Sequence, residues 1–447
     1  MVKQLLAVSL FVAACQAQDP ASQKAVYKLL YSPPSQVPGA EPTSMFEVSP
    51  GVFYVLSVAT ESNFGASIVS VTSAGTFKVF YSLQPNYKSY ALVQSANGKL
   101  YAPGFSTQSN FYFSLTPSGK NYQQYPFPGT WGSAWQTIVT PPGPLYDIVA
   151  MDVASNIVWG FARIDEDGKM TVLHQFSGSE GLPVGTDMAY GPDGNIYAVG
   201  SQTRYAGPGF IYRLTPTGAY SQLLTFPSFP VAGHTLPLVV GSDGNLYGTF
   251  AGGGTNGTGE IYQAPFSGQL QTVANFPANS MGKPETLLQA ADGNIYGTTL
   301  DNFIFRYNLA THTLQAVYHL SSNLSQGKCG CQLVEGMDGR IYGVTPLGGN
   351  PPGIGAVFSL DIGLPKPLPL VAQLSPSSGP VGQSVLLWGN YLLGATSVTF
   401  NGVPATTLSV TSVNSAYATV PAGATSGPVT ITTANGSVTT TGSFTVQ

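Results

Sequence analysis

Charged side chains are scarce in this chain. Asp, Glu, Lys and Arg make up 8% of 447 residues, with 16 basic against 20 acidic groups and a net charge of −4. A nucleic-acid partner is thereby excluded, because there is no Lys/Arg patch to neutralise phosphates. Cysteine is almost absent, at three residues, and so is histidine, at four. Cys-rich zinc sites and dense disulfide frameworks are both ruled out by that count. Helical periodicity is nearly missing beyond the N-terminus. No apolar run is long enough to cross a bilayer; the longest early one, Leu5 to Ala14, is too short, so no transmembrane segment is expected.

Glycine (53 residues) and proline (35) are plentiful instead, and they punctuate short apolar runs. Such punctuation suits many strands joined by tight turns. One pattern organises these runs: Asp193-Gly194-Asn195-Ile196-Tyr197, Asp243-Gly244-Asn245-Leu246-Tyr247, Asp292-Gly293-Asn294-Ile295-Tyr296 and the variant Asp338-Gly339-Arg340-Ile341-Tyr342. Weaker copies end at Tyr54, Tyr101 and Tyr146, so the seven tyrosines are spaced by 47, 45, 51, 50, 49 and 46 residues. A fixed period of this length marks an array of identical units. Each unit reads as four strands: an apolar run, an Asp-Gly turn read as a two-residue hairpin, an Ile/Leu-Tyr strand, a Gly-x-Ile/Val-aromatic strand, and a closing strand that ends near Phe. Four antiparallel strands per 45–50 residues predict a propeller blade.

The expected fold is all-β: a seven-bladed β-propeller over residues 25–362, then an immunoglobulin-like β-sandwich. The seventh unit lacks a closing strand, because after Leu360 the chain runs into Pro365, Pro367 and Pro369, which cannot sit in a central ladder. Ala25 to Tyr31 fits the missing strand, so the N-terminal strand is expected to close the last blade. Residues 363–370 read as a stiff Pro-rich linker. Residues 371–447 turn to Thr, Ser and Val in short alternating runs, the pattern of a small sandwich.

Residues 1–17 read as a signal peptide, with Lys3 ahead of the apolar core. Cleavage after Ala17 gives a soluble secreted protein. Val12-Ala13-Ala14-Cys15 reads instead as a lipobox, which would anchor Cys15 to a membrane, periplasmic or outer. Cys329 and Cys331 then remain, read equally as a local disulfide and as two free thiols.

Two resemblances follow. The repeat, with Asp-Gly-Asn-Leu-Tyr-Gly and Gly-x-Ile-Tyr-x-Leu-Thr, resembles the tandem GloVer-type repeats of bacterial exported proteins, which implies a surface or secreted location and no established reaction. The tail, with Leu374 to Gly382, Trp388-Gly389, Val398 to Val403 and Gly427 to Ile431, resembles an IPT/TIG domain, a module that serves as spacer or interaction unit.

The aspartates of the repeat come one per blade, so they read as turn residues and not as a Ca²⁺ site, which needs converging oxygens. The tyrosines read as packing between blades. Candidate binding residues are those where the copies differ. His234, Asp187 and Glu285 stand at strand entries near the channel mouth. Trp131 and Trp135 stand in a stretch read as a loop on the same face. No catalytic residues, metal site or cofactor are assigned. The expected function is non-catalytic binding or scaffolding at the cell surface, with a glycan or extracellular protein as partner. The alternatives are a polysaccharide hydrolase or lyase using His234, Asp187 or Glu285 as acid and base, and a structural role in cell-surface assembly.

Overall fold

A computed structural model describes residues 25–32, 40–59, 65–106, 110–128, 131–139, 143–153, 156–203, 206–226, 237–266, 269–278, 281–320, 332–349 and 355–447. Among these the structure is all-β. The signal-peptide and lipobox region with Cys15, His234, and Cys329 with Cys331 lie outside the described residues.

Seven four-stranded antiparallel sheets come first among the described residues. Six are built in chain order; the fifth, for example, runs Leu238–Val240, Leu246–Phe250, Glu260–Ala264 and Gln271–Asn275. In the seventh, Leu333–Glu335, Ile341–Thr345 and Ala356–Asp361 are joined by Val26–Tyr31 from the N-terminus. Val26 pairs with Asp361 and Leu29 with Phe358, as the missing-strand argument expects.

The repeated tyrosine fastens each sheet to the next. Tyr197 packs with Leu238 and Tyr262 of the following sheet, Tyr247 with Phe305 and Tyr307, and Tyr296 with Leu333 and Phe358. Tyr342 closes the series against the first sheet, its ring 4.0 Å from that of Phe53. All four are almost fully buried. Each such ring contributes on the order of 2 kcal/mol by burial alone.

The Asp-Gly turn differs from the two-residue hairpin expected. Gly191 N–H bonds to Asn195 O at 2.8 Å, and Gly194 N–H bonds to Gly191 O at 3.0 Å, so Pro192, Asp193 and Gly194 form a three-residue loop. Only the glycine takes positive φ, +81° at Gly194 and Gly244, the geometry of a type I turn followed by a bulge. The reason lies in the Asp side chain. Asp193 accepts from Asn195 N–H, Asn195 Nδ2 and Tyr197 O–H, the last at 2.6 Å. Asp243, Asp292 and Asp338 hold Tyr247, Tyr296 and Tyr342 likewise, at 2.8, 2.9 and 2.8 Å.

The first three copies lack that aspartate, and their tyrosines reach the next sheet instead. Tyr54 O–H donates to Pro117 O, Tyr101 O–H to Glu166 O and Tyr146 O–H to Pro216 O. Replacing Asp243 by Ala should therefore cost ~2 kcal/mol, because a buried hydroxyl and two turn donors lose a charged acceptor. Denaturant unfolding of D243A checks this; a midpoint within error of the parent would contradict it.

The tail consists of two sheets. One orders Leu370–Ser375, Ser384–Asn390, Ser415–Thr419 and Leu408–Ser412; the other contains Ser378–Gly379, Gly436–Val446, Gly427–Thr433, Ser397–Phe400 and Val403–Pro404. They share one core of Val385, Leu387, Val398, Phe400, Ala416, Ile431 and Phe444.

Candidate functional site

Of the expected site residues that are described, Trp131 and Glu285 lie where a first strand begins, and Trp135 and Asp187 lie further along theirs. Trp131 and Trp135 prove to be in a strand, Trp131–Val139, and not in a loop. Trp, Thr, Ile and Val favour extended backbone, and this run forms one edge of the third sheet. Asp187 lies within the strand Leu182–Tyr190, and Glu285 follows Pro284 at the start of Pro284–Gln289, where it is buried. The side chains of Trp131, Trp135 and Asp187 lie outside what is described, as does the whole of His234. Three of the described ones, Trp135, Asp187 and Glu285, share a backbone feature that the sequence reading missed. Pairing slips between Ala134 and Thr137, between Pro183 and Met188, and between Pro284 and Thr286. Trp135, Asp187 and Glu285 each sit in such a slip, where bulges re-aim side chains. They come from three different sheets.

At the opposite, Asp-Gly end the structure places two buried carboxylates for which the sequence offered no signal beyond register. Glu47 pairs with Phe53 and Glu335 with Ile341, equivalent positions in the first and seventh sheets. Gln289, paired with Ile295, holds the same place in the sixth. Each reaches back to the turn of the preceding sheet in the ring. Glu47 Oε2 accepts from Met337 N–H at 2.8 Å, Glu335 Oε2 from Ala291 N–H at 2.7 Å, and Gln289 Oε1 from Ser242 N–H at 3.1 Å. Glu47 Oε1 also takes Gly51 N–H at 2.6 Å. Burial pushes both acids up to about 7, against the lowering effect of these hydrogen bonds; Asp338 near Glu47 and Asp292 near Glu335 push the same way as burial. Both oxygens of Glu47 and Oε2 of Glu335 accept from backbone N–H groups, so the two side chains staple neighbouring sheets.

The tail docks on this end. Tyr391 O–H donates to Glu335 Oε2 at 2.5 Å. Met337, Tyr391 and Leu393 form a buried apolar cluster flanked by Val410 and Val413. Asn435 Nδ2 bonds Met337 O and Pro367 O. Tyr391→Phe should lower stability by about 1 kcal/mol through one lost buried hydrogen bond, read as a fall in the unfolding midpoint; an unchanged midpoint would show the contact to be idle.

Docking on one side leaves a cleft on the other, with a volume of about 790 Å³. Its floor is the turns at 190–194, 240–244 and 289–293 of the fourth to sixth sheets, and its roof is 370–373 and 388–391 of the tail. Tyr190 and Trp388, both in its lining, touch edge to face, ring centres 5.4 Å apart. Among the described residues no Lys, Arg or His lines it. Asp193 is the one ionisable carboxyl there; burial raises it, but bonds from Tyr197 and Asn195 outweigh that and hold it below the usual carboxylate range. Among the described residues no group of His, Cys, Asp and Glu is placed to hold a metal ion, and no helix is long and apolar enough to cross a membrane. The described histidines pack on aromatic rings: His174 on Tyr220, His319 on Phe303, and His312 bonded to Tyr307 O–H.

Residues 234–445 match the family described as the Gloeobacter/Verrucomicrobia repeat. The matched stretch takes in the last three repeats and most of the tail. No curated protein matches the chain. Among solved structures it is similar to virginiamycin B lyase from Staphylococcus aureus, at 17% identity and a TM-score of 0.54 over 75% of this chain and 98% of that one. It is also similar to the polysaccharide lyase Uly1, at 11% identity and a TM-score of 0.51 over 72% and 89% of the two chains. A third likeness is to YCF48 bound to a peptide, at 14% identity and a TM-score of 0.50 over 75% and 96%. These likenesses are of fold, and the fold they share is propeller-like.

Proposed function

We propose that this is an exported, non-catalytic binding protein of the cell surface or extracellular space. In this reading residues 1–17 direct export, residues 25–362 form a closed seven-bladed propeller, 363–370 link it to the tail, and 371–447 are an IPT/TIG module of immunoglobulin-like form. The observation that carries the reading is the cleft between turns and tail. Among the described residues it has an aromatic wall, a single, already engaged carboxyl and no acid–base pair, and its Ser242 hydroxyl is bonded to Gly293 O. Such a lining holds a ligand but does not turn it over. The tail supplies the roof, which gives the module a part in recognition as well as in spacing. Seven four-stranded sheets, with the N-terminal strand in the last, support the blade count; two sheets sharing one core support the module. The match to a bacterial repeat family supports an exported location.

The full chain, screened against immobilised glycans and peptides, should retain one class without degrading it. Release of product from a bound polysaccharide, lost on Glu285→Gln, would reverse the reading in favour of an enzyme at the strand-entry end.

A further inference from the structure

We propose that the cleft is a binding site for a neutral saccharide chain, held between the propeller-like ring and the tail. The inference rests on the reading above and names its ligand class.

Three properties of the cleft select that class. Tyr190, from the ring, and Trp388, from the tail, touch edge to face and together form one aromatic wall of the cleft. Sugar rings expose C–H faces that pack on such surface, while their hydroxyls need neutral donors and acceptors at the rim. Those groups are present. Gln373 is exposed at the roof, and its amide makes no hydrogen bond among the described residues. Asn390 uses only its Oδ1, toward Tyr391 N–H and Asn414 Nδ2, which leaves its own Nδ2 to donate.

Charge decides the remainder. With no cation in the lining among the described residues and Asp193 held ionised, the cleft carries negative charge. Uronate, sulfate and phosphate groups are repelled, since nothing there pairs with them. The volume of about 790 Å³ falls within the range of small-ligand sites. It suits a few sugar residues of a longer chain.

Titration calorimetry on the full chain tests this. The probes are neutral cello-, xylo- and manno-oligosaccharides, with oligogalacturonate as the acidic counterpart and a mixture of unstructured peptides. At least one neutral probe should bind and oligogalacturonate should not. Trp388→Ala should weaken binding about 10-fold, Trp388→Phe should recover most of it, and Gln373→Ala should weaken it about 3-fold, the scale of one ring contact and one hydrogen bond. Because Gln373 is exposed, its variant keeps the test valid if Trp388→Ala unfolds. Preferred binding of oligogalacturonate, or peptide binding lost in Trp388→Ala, would refute the ligand class and leave a binding cleft in place. Neutral-sugar binding that none of these variants alters would refute the site. If no probe binds, both the inference and the reading beneath it fall.

Discussion

The protein should be more stable at pH 5 than at pH 8, by several kcal/mol, against the habit of most proteins rich in engaged carboxylates. Glu47 and Glu335 are 2% and 5% exposed, and each is pushed up to about 7 from an ordinary 4.5. Below 4.5 both the folded and the unfolded chain carry these protons. Between 4.5 and 7 the folded chain alone keeps them, so rising pH removes stability through this window and the loss is complete above it. The gap corresponds to ~3 kcal/mol for each group as an upper figure. The groups facing them are Asp338 and the N–H donors of Gly51 and Met337 for Glu47, and Asp292, Tyr391 and Ala291 N–H for Glu335. Asp193 and Asp243 act in the opposite sense: their carboxyls sit below 3.8, so their stabilisation is lost only as pH falls further. The two effects therefore occupy different pH ranges. Urea unfolding at pH 5 and pH 8 measures the slope, and Glu47→Gln with Glu335→Gln should flatten it. The slope is the readout, because the amide introduced by Glu335→Gln would itself face the partnerless position now held by Glu335 Oε1. A parent protein equally stable at both pH values would refute the assignment.

The second large effect concerns the N-terminal strand. A chain that begins at Ser32 should lose about 5 kcal/mol and associate with itself. Val26–Tyr31 supplies the outer ladder of the seventh sheet, buries Leu30 and Tyr31, and stacks Tyr27 between Phe358 and Tyr318 at 5.5 and 5.8 Å. Two to three buried side chains at roughly 2 kcal/mol each give the magnitude. Removing the strand also bares the hydrogen-bonding edge of Ala356–Asp361, which invites pairing with another copy. Light scattering on the truncated chain should report oligomers. A monomer with an unchanged midpoint would mean that the strand is decorative.

Much of this architecture was legible because repeats amplify weak signals. A single Asp-Gly-Asn-Ile-Tyr is ambiguous; its return at a steady interval assigned strand, turn and inter-sheet ring together, and the absent last strand pointed to the N-terminus. The loop form of the turn was not legible. It depends on Asp193 receiving three donors at once, a demand that appears only when Tyr197 is folded back over the turn. The placement of Trp131 and Trp135 went astray because small residues, Gly132, Ser133 and Ala134, separate them and imitate a loop, whereas here they lie beside a bulge in a strand. Glu47 and Glu335 were invisible for another reason. Both stand in first strands, where an isolated Glu looks solvent-facing, and only the neighbouring turn and the docked Tyr391 make them interior. The cleft belongs to no single segment. It exists because residues near 190–194 and 388–391, far apart in sequence, are brought face to face by the docked tail.

The shared seventh sheet carries a consequence in time. Val26 is among the first described residues to be synthesised, yet its partner Asp361 lies at the far end of the repeat region. Local hairpins form early and cheaply, whereas this pairing waits for everything between. Until then the N-terminal segment stays extended and unpaired, and the ring remains open. The meeting of the two ends is thus expected to come late in assembly, after the local hairpins of the repeats.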